Sequence, residues 1–285
     1  TEIYTLSLHD ALPIYIPFSV TLSFYIGAVA FLGAVLWTTF TTKEYPPAEA
    51  ELQTIKNRKF DWTLGLGDIF ALVFKLPRRM WELGLVQFFT WIAMFCLWVY
   101  FSPAIAADIF HATPGTVEME SSGAWAGFCF AVYNAVCFAF SFVLMWLVKY
   151  TGPKLMHSVC LGIGGLGLIL VPLASDQYQL LISMAAIGVA WSSILSMPYA
   201  MLTPSLPKDK IGVMMGMFNL FIVIPQVIAS GFLGWALKNF LHDKAMNAII
   251  LGGVSMLLAG ILTLLVVSYR KNQNMVEPVH GNTGH

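Results

Sequence analysis

The sequence predicts an all-α integral membrane protein, and three observations carry that expectation. Of its 285 residues, 58% are apolar and 11% charged, whereas a soluble domain has about 25% charged residues. That much apolar surface cannot be hidden in one soluble core of this size. Seven apolar stretches reach the ~20 residues a helix needs to cross a bilayer core: about 15–40, 80–105, 124–148, 154–174, 178–203, 211–237 and 246–268. None has an Asp, Glu, Lys or Arg in its interior; Glu82 lies near an end. Backbone groups in lipid must be satisfied within their own segment, so such runs are helices. They also lack the alternation of a membrane barrel.

Taken in order, the chain opens with TEIYTLSLHDALPI, which has neither an initiating Met nor the features of a secretory signal. Its codons can be written to resemble one strand of a short-read sequencing adapter. Residues 1–14 therefore read as non-native, and the chain as a fragment whose natural N-terminal part is missing. The first span, 15–40, leads into the longest polar connection, 41–79. Its first part, TTKEYPPAEAELQTIKNRKFD, is charged and proline-marked, as linkers are. Its second part, LGLGDIFALVFKLPRRM, mixes apolar and basic residues and suits an interfacial segment. Six spans on short connections follow over 80–268, and 269–285 forms a polar tail.

The basic residues set the direction. Lys43, Lys56, Arg58, Lys59, Lys75, Arg78 and Arg79 precede the second span, and Lys149, Lys154, Lys208, Lys210, Arg270 and Lys271 occupy alternate later connections. Only Lys238 and Lys244 lie on the opposite side. The positive-inside rule places the larger group, and with it the C-terminal tail, in the cytoplasm. A net charge of zero argues against nucleic acid as a partner. Cys96, Cys129, Cys137 and Cys160 all fall in apolar runs without metal-ligand spacing, so neither disulfide, metal nor cofactor is expected. The sequence offers no catalytic constellation of a soluble enzyme either.

Three stretches resemble sugar transporters of the major facilitator superfamily. YIPFSVTLSFYIGAVAFLGAVLWTTFTTKEYPP is similar to their sixth helix. KLPRRMWELGLVQFFTWIAMFCLWVYFSPAIAADIF is similar to the seventh. SMPYAMLTPSLPKDKIGVMMGMFNLFIVIPQVIASG is similar to the tenth-to-eleventh junction, with Gly216, Phe218, Asn219, Pro225 and Gln226 in the family's order. The resemblance is to the sucrose/maltose-type branch, related to glycoside–cation symporters. It implies a major facilitator fold of which only helices six to twelve are present: one orphan helix plus a six-helix C-terminal bundle. It also implies a secondary active transporter of a sugar, such as the disaccharides sucrose or maltose, working by alternating access with proton symport in a bacterial inner membrane. The implied partners are the sugar, the coupling proton, the lipid bilayer and the missing N-terminal half, which in the family carries the coupling acid. The eighth-to-ninth connection, VKYTGPKLM, keeps Gly152 and two lysines but lacks the fuller acidic-basic loop motif.

A sugar site needs amides or hydroxyls for hydroxyl groups and aromatic planes for the apolar ring faces. In the seventh helix Gln87, Trp91, Met94 and Trp98 share one face by their spacing. In the eleventh, Met215, Asn219, Ile222 and Gln226 do the same, with Pro225 marking a kink. Buried amides in lipid must point into the bundle or a wet cavity. Tyr133 and Asn134 of the eighth helix complete the expected substrate-binding set of Gln87, Trp91, Trp98, Tyr133, Asn134, Asn219 and Gln226. Ser141, Trp191, Ser192, Ser196 and Tyr199 are weaker candidates, since serines in membrane helices often bond only to the preceding turn. His157, three residues after Lys154, is expected to be solvated at headgroup level. Gly162, Gly164, Gly165 and Gly167 are expected to let helices approach closely. A seven-helix receptor fits the topology but has no residue pattern of its own, a retinal pigment lacks a lysine inside its last two spans, and a membrane enzyme lacks clustered acids or histidines.

Overall fold

The computed structural model describes residues 18–43, 53, 76–113, 116–207 and 211–266. The adapter-like residues 1–14, most of the 41–79 connection and the 269–285 tail lie outside the described residues. The chain forms two compact units, Thr1–Gly65 and Leu66–His285. The first contains α1 (Phe18–Thr41), whose side chains from Leu22 to Phe40 are largely exposed. Its last three threonine hydroxyls are met locally: Thr38, Thr39 and Thr41 each donate to the carbonyl four residues back. That is how a helix carries threonines without a polar neighbour.

The second unit comprises α2 (Arg78–Asp108), α3 (Val117–Thr151), α4 (Pro153–Leu170), α5 (Leu180–Ile194), α6 (Met197–Leu202), α7 (Ile211–Phe218), α8 (Leu220–Asn239) and α9 (Ala245–Leu265). Short 3₁₀ turns extend α4 at Val171–Leu173 and α6 at Thr203–Ser205. Counting α5 with α6 and α7 with α8 as single spans, seven helices of the described residues are long and apolar enough to cross a membrane. Two spans expected to be continuous are broken, one at Leu195–Ser196 and one at Asn219. Pro225 lies inside α8, a position at which a proline removes a backbone hydrogen bond.

The six-span bundle has an internal pairing rule. α2 packs most extensively on α9, α4 on both α9 and α5, α5 on α3, and α8 on α2. Exchange α2 with α5, α3 with α8, and α4 with α9, and each of these pairs maps onto another or onto itself. Successive spans run in opposite directions, so helices three apart are antiparallel. The bundle is therefore two three-span repeats of inverted topology, an arrangement known from transporter folds.

Close approach of small residues makes the seam. A Cβ on Gly164 would stand 2.3 Å from Ala190 Cβ, and one on Gly252 would stand 2.9 Å from Cys96 Cβ. Gly165 and Gly253 face each other's backbone across α4 and α9, each added Cβ falling within about 3 Å of the other's carbonyl oxygen (3.0 and 2.9 Å). Without a hydrophobic force between helices in lipid, such contact is the main source of attraction. A Cβ on Gly162 would meet nothing within 4 Å, while the Gly162 backbone nitrogen lies 3.6 Å from a Cβ built on Gly260.

Candidate functional site

The face of α2 expected from spacing is largely an inward one. Gln87 is 1% exposed, Met94 is fully buried and Trp91 is 9% exposed, while Trp98 emerges at 37%. Around the upper part of that face the structure assembles an aromatic cluster from three helices. Trp91 and Trp98 have ring centroids 6.0 Å apart. Trp191 of α5 stands edge-on to both, at 6.0 Å from Trp91 and 5.5 Å from Trp98. Tyr133 of α3 lies 6.4 Å from Trp191, and its hydroxyl is 3.4 Å from the Trp98 indole nitrogen, which donates to it. These offset, edge-to-face arrangements each add about 0.5–1.5 kcal/mol beyond burial, which holds the rings as one rigid wall.

Beside this wall sit polar atoms with no protein partner among the described residues: both side-chain amide atoms of Gln87 and the indole nitrogen of Trp91. Leaving a buried amide unpaired costs about 1–3 kcal/mol. A helix that keeps one in an apolar bundle, one turn from an unpaired indole N–H, offers a donor and acceptor pair to a ligand or an ordered water.

The remaining expected residues divide. Asn219 sits at the break between α7 and α8, is exposed, and accepts a hydrogen bond from the Tyr199 hydroxyl at 3.3 Å. Asn134 is exposed and donates to Phe130 O within its own helix at 2.8 Å. Gln226 is half-buried, next to Pro225. Among the described residues, no hydrogen bond or ring contact joins Asn134, Asn219 or Gln226 to the aromatic cluster. Ser141, Ser192 and Ser196 bond to carbonyls three or four residues back, as expected of membrane serines.

Two residues sit differently from what their sequence neighbourhood suggests. Trp191 ranked among the weaker candidates, yet it is the hub that touches Trp91, Trp98 and Tyr133. Its signal in the sequence was residue type and mid-span position, the same that singled out Trp91. His157 is a correction: it is fully buried, with Nδ1 2.7 Å from Ser193 Oγ, rather than solvated near headgroups. Lys154 misled, because its long stem reaches the helix end and bonds Val266 O, whereas the short imidazole one turn on is covered by α5.

The fold and site together describe an integral, multi-pass, all-α membrane protein. The sequence model of the Major Facilitator Superfamily matches residues 83–280, and the chain belongs to that family. The chain is also 22% identical to the sucrose transport protein SUC4 of Arabidopsis thaliana, over 89% of this chain and 54% of that protein. It thus spans about half the length of that relative.

Proposed function

We propose that this chain is the C-terminal part, helices six to twelve, of a secondary transporter that moves a sugar by alternating access. The observation that carries this reading is the aromatic wall of Trp91, Trp98, Trp191 and Tyr133 beside the unpaired amide of Gln87. Flat apolar rings suit the C–H faces of a pyranose, and a free amide suits one of its hydroxyls. The similarity to a sucrose transport protein supports a disaccharide such as sucrose or maltose. Gln87, Trp91, Trp98, Tyr133, Asn134, Asn219 and Gln226 remain the proposed substrate-binding set, with Trp191 added. Asn134, Asn219 and Gln226 would engage the sugar on the more exposed helices, where a second bundle closes the site. Inverted repeats supply the mechanical part, since one bundle rocks against the other around a midplane site. The acids of the described spans, Glu82, Asp108, Glu118 and Glu120, all lie near span ends, so proton symport would draw its acid from the other half.

Charge supports a C-terminal tail facing the cytoplasm, and we read the membrane as a bacterial inner membrane. The test is uptake of labelled sucrose and maltose by cells expressing the complete gene, with and without a protonophore. Saturable accumulation that the protonophore abolishes supports the reading. Accumulation of neither sugar, from a protein shown to reach the membrane, defeats the disaccharide assignment. Saturable uptake that ignores the protonophore removes the coupling proton and keeps the sugar.

A further inference from the structure

The connection VKYTGPKLM is absorbed by nothing in the transport reading, and it borders a cavity of about 610 Å³. The start of α2, the α3–α4 turn, α6 and the end of α9 surround this space. All lie at the end of the bundle where Arg78, Lys149 and Lys154 are found. Among the described lining residues two are cationic, Arg79 and Lys154, and none is acidic. Lys154 Nζ donates to the Val266 carbonyl at 2.5 Å, just past the end of α9. A neutral carbonyl holds the ammonium at the cavity wall without cancelling its charge. Arg79 lines the same space from the first turn of α2. The rest of the wall is mainly apolar, with Leu155, Met201, Pro204 and Leu264.

The first turn of α4 adds to this field. Gly152, at φ +78°, turns the chain sharply into Pro153, and no side chain caps the helix. The amides of Lys154 and Leu155 have no intrahelical carbonyl to bond, and both residues line the cavity. A helix start of this kind favours negative charge.

We propose that this cavity binds the phosphate group of an anionic membrane phospholipid, held between Arg79 and Lys154, with the lipid's apolar part against Leu155, Met201 and Leu264. The shared chemistry is a phosphate oxyanion; the amphipathic wall and its place among four span ends favour a lipid over free phosphate. Basic recesses between membrane helices at the cytoplasmic surface take such headgroups. A headgroup there bridges the ends of α2 and α4. The site is independent of which substrate the protein carries.

Native mass spectrometry of the chain in mild detergent tests this, with dioleoylphosphatidylglycerol, dioleoylphosphatidylcholine and inorganic phosphate as probes. Phosphatidylglycerol should be retained over phosphatidylcholine. The Arg79→Ala/Lys154→Ala variant should bind it about tenfold more weakly or worse. Lys154→Arg should retain it. Ala200→Trp fills the cavity while keeping both cations, and should lose the lipid as well, so a misfolded alanine variant still leaves a decisive measurement. Displacement of phosphatidylglycerol by millimolar inorganic phosphate would keep the oxyanion site but overturn the lipid as its source. Equal retention of the two lipids, or unchanged phosphatidylglycerol binding in Ala200→Trp, overturns the site.

Discussion

Within the six-span bundle, α4 and α9 differ from α3 and the α7–α8 span in how they use the same residue. Glycines of the first pair are contact points: Gly164, Gly165, Gly252 and Gly253 each meet a neighbouring helix closer than a Cβ permits. Glycines of the second group, Gly123, Gly127, Gly212, Gly216, Gly231 and Gly234, meet nothing within 4 Å. Both groups expose aliphatic side chains, but only the second exposes aromatic ones. Phe138, Phe142, Trp146 and Tyr150 of α3 are exposed, as are Val223, Val227, Phe232 and Trp235 of α8. The α4–α9 seam is a framework made by shape. The open helices hold Asn134, the Asn219 break and Gln226, and the polar groups of Asn134 and Asn219 are met locally or by one neighbour. The contrast shows which spans are committed to holding the bundle together and which keep surface for a partner or substrate.

Four measurements would break or sharpen that contrast, the largest effect first. Gly253→Leu should destroy the seam, since overpacking of this kind typically costs about 1–3 kcal/mol and here meets backbone rather than a flexible side chain. The expected result is loss of monodisperse protein by size-exclusion chromatography. Gly231→Leu on α8 should leave the elution profile unchanged, and equal damage from both would erase the distinction between the two regions.

The second concerns the α4–α5 clamp. Ser193→Ala should lower the melting temperature, because it strands the buried His157 ring at a cost of about 1–3 kcal/mol. Adding His157→Leu to it should recover part of that loss, since a pair removed together leaves no orphan. A double variant less stable than the single one would show that His157 acts through packing alone.

Third, Gln87→Leu should be neutral or stabilising in the isolated chain, because it removes an unpaired buried amide. In the complete transporter the same change should weaken sugar affinity by about fivefold, the equivalent of one hydrogen bond of ~1 kcal/mol. Destabilisation with normal affinity would make Gln87 a packing strut. Smallest of all, Tyr199→Phe removes a 3.3 Å bond across the broken spans. An interhelical bond in a membrane averages about 0.6 kcal/mol. The expected outcome is faster amide exchange around the Asn219 break with little change in melting temperature.

Much of the architecture was legible from residue order alone, and little of the site. Hydropathy is a sum over a helix's own residues, so the lipid solvent, the seven spans and their alternating basic ends could be read directly. Spacing likewise placed Gln87, Trp91 and Trp98 on one face, because helical periodicity is local. What that face meets is not local. Trp191 became the hub of the wall only because α5 packs between α3 and α4, bringing it against α2's indoles. His157 was buried only because α5 covers the first turns of α4. Gly162 and Gly164 are two residues apart and alike in sequence, yet a Cβ on the first would find open space and one on the second would strike Ala190. The sequence by itself determined the apolar solvent and the seven helices long enough to cross it. The tertiary structure decided which side chains are covered, because packing in lipid depends on the matching shapes of two helices and neither carries the other's shape in its own sequence.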